Sequence, residues 1–533
     1  MKALIVLYGG RLGTEAFEKI QGASDSVSLA LAACRRFSGA EKILFLGKEG
    51  ENPDLPADAE RVYRPLWTKK SLFEELSKRS AGYDLVYVAW ADCPLLDPVL
   101  AGALAERHIQ YGAEYTYADG WPYGFAPEIL APSTAGILYK LLGDADGPVE
   151  RDTLFGVIQK DINAFDIETE ISPVDLRHYR LCMAADSKRN LLILSRFMEA
   201  GFRSAQDAET FIREKPELLR TLPAFFSIQV SGGCPQACSL CPWPVYGSAG
   251  EMPGTGVMRR KDVMPKAAFE KLLCTIAGFA GDGVIDLSLW GEISLHPEKM
   301  ELIRMVLANP SLSLIIETSG IGWKNEELEA LAGAASAAAP RKNREAPLSW
   351  IVSLDAHDPG RYKEIRGPGY SEARSCAKTL LSLFPRDAYV QAVRVRGFED
   401  DIEQFYRSWK GEELPREVID AGRKDGSHII IQKYDDFAGV LPKLQAADLS
   451  PVKRRPCWHI QRDINILLDG SVPCCREDLG ALKGKGDKPL WGNVFTEDME
   501  LIWQRGAAVY REHCAADYRG ICTGCDEHYT FNF

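Results

Sequence analysis

The stretch Ser231-Gly-Gly-Cys234-Pro-Gln-Ala-Cys238-Ser-Leu-Cys241 decides how the rest of the chain is read. It follows the apolar run Phe226-Ser-Ile-Gln-Val230 and sets three cysteines at the spacing C-x3-C-x2-C. Iron–sulfur clusters are held by cysteine thiolates, and a full set is four. Three close cysteines without a near fourth leave one iron open to a small molecule. The alternatives are a zinc site short of a ligand and three ordinary buried cysteines. Both are weaker. The nearest histidine is far off at His296, and buried cysteines have no reason to take this spacing on a loop after a strand.

At 533 residues the chain exceeds what one core serves, and three domains are expected. Its 46% apolar and 26% charged residues are ordinary for a soluble globular protein. No apolar run approaches the ~18 residues of a membrane span. The opening Met1-Lys-Ala-Leu-Ile-Val-Leu-Tyr8 is short, and Arg11 and Glu15 follow without a small-residue cleavage site, so it reads as a buried first strand. The net charge of −12 argues against nucleic-acid or membrane-surface partners. With no export signal, 14 cysteines point to metal ligation in the cytoplasm rather than disulfides. Cys34, Cys93, Cys182, Cys274 and Cys376 are isolated, and most of them read as small core residues; the rest form the triplet and a C-terminal group.

After the triplet, strand and helix patterns alternate. Residues 284–290 read as a strand leading into Gly291-Glu292, and 312–317 as one leading into Thr318-Ser319-Gly320. Further strands are expected at 350–355, 389–394 and 428–432, with amphipathic helices such as 297–308 and 400–409 between them. Successive units of this kind predict a parallel sheet curled into a barrel or part of one, with chemistry at the carboxyl ends of its strands. The triplet, Glu292, Ser319, Asp355, Arg394 and Arg396 all fall at such ends.

The triplet after a first strand, with a Gly-Glu after the second, resembles the radical S-adenosylmethionine (SAM) superfamily, whose usual fold is a partial βα barrel. The resemblance implies that Cys234, Cys238 and Cys241 hold a [4Fe–4S] cluster and that SAM fills its open iron. Gly291-Glu292 is similar to the family's Gly-Gly-Glu segment at the SAM amine, with Trp290 in place of the first glycine. Leu240 stands where an aromatic residue near the adenine is more usual. Ser319, Ser353 and Asp355 are implied ribose or carboxylate contacts, with helix caps or turn formers as the plain alternative. Arg394 or Arg396 would pair with the SAM carboxylate.

The C-terminal group is Cys457, Cys474, Cys475, Cys514, Cys522 and Cys525. Asp469-Gly470 marks a tight turn after Ile464-Asn-Ile-Leu-Leu468, and Val472-Pro-Cys-Cys475 follows it. Four of these thiolates could hold zinc or an iron–sulfur cluster, and spacing alone does not choose. The order Cys…Asp-Gly…Pro-Cys-Cys…Gly-Asn…Trp…Cys-x2-Cys resembles the single-cluster form of the SPASM extension of radical SAM enzymes. That implies an auxiliary [4Fe–4S] cluster on Cys457, Cys522, Cys525 and either Cys474 or Cys475, with Cys514 a free thiol.

The first part of the chain alternates strands at 2–8, 42–47 and 83–90 with helical patterns such as 23–37, which argues for an α/β sheet. Ala91-Asp-Cys-Pro-Leu-Leu-Asp-Pro98, Tyr123-Gly-Phe-Ala-Pro-Glu128 and Tyr179-Arg-Leu-Cys-Met-Ala-Ala-Asp186 resemble segments of cytidylyltransferases that activate acidic sugars. The resemblance implies Mg2+ held by Asp92 and Asp186. Glu15 and Glu18, in the loop where that family carries basic residues, would repel a triphosphate. An active transferase and a domain kept for binding or assembly both remain open.

The expected layout is therefore a nucleotidyltransferase-like α/β domain (1–190), a helical connector (191–222), a partial TIM-type barrel (223–445) and a small cysteine-rich cluster domain (446–533). The combination resembles spirochaete proteins of the SPASM radical SAM type. It implies hydrogen abstraction from a peptide or protein, with a saccharide as the other substrate class and nucleotidyl transfer as the other activity. A flavodoxin- or ferredoxin-type electron donor is the implied partner.

Overall fold

The computed structural model describes residues 1–20, 24–51, 53, 55, 57, 59–144, 146–244, 262–411, 414–423, 425–447, 454–480 and 489–528. The chain divides into two compact units, Met1–Leu218 and Leu219–Phe533.

The first unit is built on a seven-stranded sheet in the order Glu60–Arg64, Ala40–Lys48, Ala3–Gly9, Leu85–Trp90, Glu128–Leu130, Tyr115–Asp119, Ile167–Ile171. Glu128–Leu130 runs against both its neighbours, and the remaining pairings are parallel. Ala3–Gly9 and Leu85–Trp90 are buried along their whole length, which is why they read as unbroken apolar runs. The helix Pro98–Tyr111 starts where Asp97 accepts from the N–H groups of Val99 (2.7 Å) and Leu100 (3.2 Å), and it stops at Gly112 with φ +62°. The strands Glu60–Arg64, Tyr115–Asp119 and Ile167–Ile171 have no counterpart in the sequence reading, because they are short and rich in polar residues.

The second unit carries an all-parallel seven-stranded sheet. Its order is Ile429–Lys433, Ala388–Arg394, Leu348–Ser353, Leu312–Thr318, Gly283–Asp286, Phe225–Ile228, Asp463–Ile466. Six strands follow in chain order, each reached through helices such as Lys266–Ala280, Lys299–Ala308 and Asn325–Ser336. The seventh comes from the C-terminal segment and pairs in parallel with the first strand, Phe225↔Asp463 to Ile228↔Ile466. The sheet and the hairpin beyond it share one apolar core, from Phe226 and Trp350 to Trp491 and Trp503.

Two strands end earlier than their apolar pattern predicts. The run at 284–290 leaves the sheet after Asp286, whose carboxylate accepts from the Ser288 N–H at 2.9 Å and turns the chain. The run at 350–355 leaves it after Ser353, and Asp355 stands at φ +61°.

In the C-terminal segment, Ser471–Val472 pairs antiparallel with Gly492–Asn493, and the turn before it places Gly470 at φ +82°. Arg220 fastens this segment to the start of the unit. Its guanidinium donates to the carbonyls of Ile460 (3.0 Å) and Trp503 (2.8 Å) and stacks on the Trp503 ring at 3.5 Å. Among the described residues, no helix is long and apolar enough to cross a membrane.

Candidate functional site

The carboxyl ends of the second unit's strands surround a cavity of about 280 Å³. Ser227, Asp286, Glu317, Ser353, Gln391 and Gln432 line it, one from each of six consecutive strands, so the sheet must curl around it. Each is a polar residue inside an apolar strand, a signal that the sequence reading passed over for all but Ser353. A chain of hydrogen bonds, passing through Ser288, links the first five of them from Ser227 to Gln391. Ser227 Oγ donates to Asp286 (2.8 Å), the Glu317 N–H to Ser288 Oγ (2.7 Å), and Ser353 Oγ to Glu317 (2.7 Å). Gln391 Nε2 ends the chain on Glu317 (2.6 Å) and Ser353 (3.2 Å). Burial pushes the Asp286 carboxyl up to about 6.

Cys234, Cys238, Leu240 and Cys241 line the same cavity. Two features hold their loop. The Glu292 N–H donates to the Gly233 carbonyl at 2.7 Å, and Trp243 Nε1 donates to the Gly232 carbonyl at 3.0 Å. Gly291 admits no side chain, since a Cβ would lie 1.8 Å from the Ser231 carbonyl oxygen. Trp290 takes φ +42°, a conformation ordinary for glycine and rare for tryptophan. Stacking on Trp243, with ring centroids 6.5 Å apart and planes 6° from parallel, holds it there.

Glu292 is buried, and its carboxylate is fully engaged. Thr318 Oγ1 donates to Oε1 at 2.8 Å, and the Ser319 N–H donates to Oε2 at 2.7 Å. Burial raises its pKa, and these hydrogen bonds work against that rise. Ser319 Oγ accepts from the Ile321 N–H at 3.3 Å. Asp355 accepts from the Val393 N–H at 2.9 Å and pairs with Arg366. Arg394 is not among the cavity-lining residues; its neighbour Val393 is, as strand alternation requires. Arg396 donates to the Gln445 carbonyl at 3.1 Å on the exposed side.

Arg366 is a site residue that the sequence reading missed. Its guanidinium pairs with Asp355 and donates to Gln236 Oε1 at 3.0 Å. Burial alone would lower its pKa, but Cys238 and Asp355 outweigh that and raise it. In return its charge acts to lower the Cys238 thiol, which burial raises. Burial also pushes Cys234 up to about 11 and Cys241 up to about 12. Iron would deprotonate all three on binding.

The opposite wall of the cavity is charged. Lys433, Asp435 and Arg476 line it. Lys433 bridges Asp526 (3.0 Å) and Glu527, and Arg476 reaches Glu477 (3.2 Å) and Glu527 (3.8 Å). Among the described residues, Asp435, Asp526 and Glu527 are the only three His, Cys, Asp or Glu ligand atoms all within 4.8 Å of one another. The Lys433 ammonium already compensates two of them.

The C-terminal cysteines do not line the cavity, and Cys475 lies near enough to Arg476 to act on its charge. Burial raises the thiols of Cys457, Cys475 and Cys525, and neighbouring thiols add to it: Cys522 at Cys457, Cys457 and Cys525 at Cys475, and Cys457 at Cys525. Four thiolates on one zinc ion would sit about 3.8 Å apart, given Zn–S of about 2.3 Å. Among the described residues, neither cysteine set brings three thiols within 4.8 Å of one another. The triplet therefore fits an iron–sulfur cluster: soft donors, an open side facing the cavity, and a buried cation at Cys238.

In the first unit, the two carboxylates expected to hold Mg2+ are bridged by Arg151. Its Nη2 donates to Asp92 Oδ2 at 2.7 Å and to Asp186 Oδ2 at 2.8 Å. The residues present do not fit a bound metal.

No known family profile matches the chain. It is 34% identical over 391 residues to an uncharacterized protein of Treponema pallidum (strain Nichols), covering 71% of this chain and 98% of the relative. The chain belongs to the same family as that protein. Among solved structures it is similar to Streptococcus suis SuiB bound to S-adenosylmethionine, at 13% identity and TM-score 0.40, covering 63% of this chain and 80% of that one. It is also similar to a cytidylyltransferase from Leptospira borgpetersenii serovar Hardjo-bovis, at 16% identity and TM-score 0.34, covering 41% of this chain and 95% of that one.

Proposed function

We propose that the protein is a radical SAM enzyme whose second unit carries the reaction. The observation that supports this most is the meeting of the C-x3-C-x2-C thiols with polar strand-end groups around one cavity. Cys234, Cys238 and Cys241 would ligate a [4Fe–4S] cluster. When bound, the cluster supplies the electron that splits SAM into methionine and a 5′-deoxyadenosyl radical, which takes a hydrogen atom from the substrate.

The chain's own residues prepare that chemistry. Glu292 braces the Trp290–Gly291 edge against the cysteine loop, and Leu240 offers an apolar surface. The cavity lining holds five carboxylates against three cations, which favours a ligand carrying sulfonium and ammonium charge. The Ser227-to-Gln391 hydrogen-bond chain spends its protons internally and keeps the wall rigid.

Cys457, Cys475, Cys522 and Cys525 would hold an auxiliary [4Fe–4S] cluster in a SPASM-type segment. A peptide or protein is the substrate class that the resemblance to the SPASM extension implies. A flavodoxin- or ferredoxin-type donor in the cytoplasm would supply electrons. The test is anaerobic: reconstituted protein with SAM and dithionite should release 5′-deoxyadenosine, and Cys238→Ser should not. A fully iron-loaded protein that releases none would overturn the reading.

A further inference from the structure

The Asp92–Asp186 pair of the first unit already holds a cation, and it is part of the chain. Arg151 lays both Nη atoms on Asp92 (3.2 and 2.7 Å) and shares Nη2 with Asp186 at 2.8 Å. Asp92 is fully buried, and the Arg151 side chain is 16% exposed. The guanidinium packs on the rings of Trp90 (4.7 Å) and Tyr123 (4.9 Å), and the Tyr123 hydroxyl accepts from Nη1 at 3.2 Å. Asp186 Oδ1 is taken by Asn190 Nδ2 at 2.8 Å. This arginine is clamped by two rings and two carboxylates, unlike a side chain that swings in solvent.

The residue before it acts in the same direction. Glu150 pairs with Arg11, the one cation among residues 9–18. A triphosphate entering over that loop would meet a neutralised arginine with Glu15 and Glu18 beyond it. Mg2+ needs carboxylate oxygens at about 2.0–2.1 Å in octahedral array. It cannot take those oxygens while a guanidinium holds them, and the two positive charges would repel at that distance.

We propose that Glu150 and Arg151 are a built-in plug, that the first unit works without a divalent metal, and that Asp92 and Asp186 are a latent cation site exposed only when Arg151 is removed. The plug closes both halves of a nucleotide–metal site with adjacent residues of opposite charge. Whatever the first unit binds, it binds without a metal-bridged phosphate.

The experiment is Mn2+ binding to the full-length, cluster-loaded protein, read by loss of the free-ion EPR signal. Mn2+ shares the oxygen-ligand preference of Mg2+. Wild type and Asp186→Asn should bind the same number of ions, so any acidic site elsewhere cancels. Arg151→Met should gain one site per chain, and Arg151→Met with Asp186→Asn should lose it again. A wild-type site that disappears in Asp186→Asn would overturn the proposal, as would a folded Arg151→Met protein that gains no site. If circular dichroism shows that Arg151→Met does not fold, the comparison of wild type with Asp186→Asn still decides.

Discussion

The backbone N–H of Glu292 donates to the carbonyl of Gly233 at 2.7 Å, one residue ahead of Cys234. The second strand's loop is thereby bolted to the cysteine loop, and the glycine between Trp290 and Glu292 makes the contact possible.

Gly291→Ala should break this joint. A methyl group 1.8 Å from the Ser231 oxygen forces one loop to move, and overpacking of this kind costs about 1–3 kcal/mol. Iron content after reconstitution should fall with the thermal midpoint. Gly333→Ala, in the helix Asn325–Ser336 and with nothing within 4 Å of the added Cβ among the described residues, should stabilise by about 0.4–1 kcal/mol and leave iron unchanged.

The two adjacent cysteines should separate cleanly. Cys475→Ser should lose roughly half the iron of a two-cluster protein. Cys474→Ser should keep it. Iron analysis with Mössbauer spectroscopy reads the difference, and equal losses would assign the ligand wrongly.

Arg366→Met should be costly, because it leaves Asp355 buried without its cation. Removing one member of a buried pair typically costs about 3–5 kcal/mol. Asp355→Asn should be milder than Asp355→Ala, since asparagine tolerates the positive φ and can still accept from the Val393 N–H. Urea midpoints of the three variants give the ranking.

The first unit should weaken in acid through His108. Burial pushes this ring down to about 4, below the ~6.5 of an unfolded chain. A depressed histidine contributes its full stability above about 6.5 and loses it as pH falls toward 4, on the order of 3 kcal/mol in total. His108→Gln should flatten that slope in urea unfolding followed by proteolysis of the first unit. An unchanged slope between pH 7 and 5 would remove His108 as the cause.

Much of the second unit was legible because its strands are buried on both faces, so composition alone marks Leu312–Thr318, Leu348–Ser353 and Ala388–Arg394. The cysteine spacing was legible for a different reason: ligand chemistry fixes it locally. Partners brought together by the fold were not legible. Arg366 meets Asp355 across a helix, and Arg151 meets Asp92 and Asp186 from distant parts of the chain. Arg394 failed because strand alternation turned it away from the cavity that Val393 faces.

The strand Asp463–Ile466 has one more consequence, for the order in which the protein is made. Among the described residues, the strand paired with the outer edge of Phe225–Ile228, which leads into the cysteine loop, is this late one. During synthesis that edge waits bare until nearly all of the second unit has left the ribosome, and a bare parallel edge invites pairing with other chains. A chain cut short at residue 446 should therefore aggregate even though every residue of the triplet is present. Metal loading should come after the last strand docks, so the C-terminal segment sets when the site can first be filled.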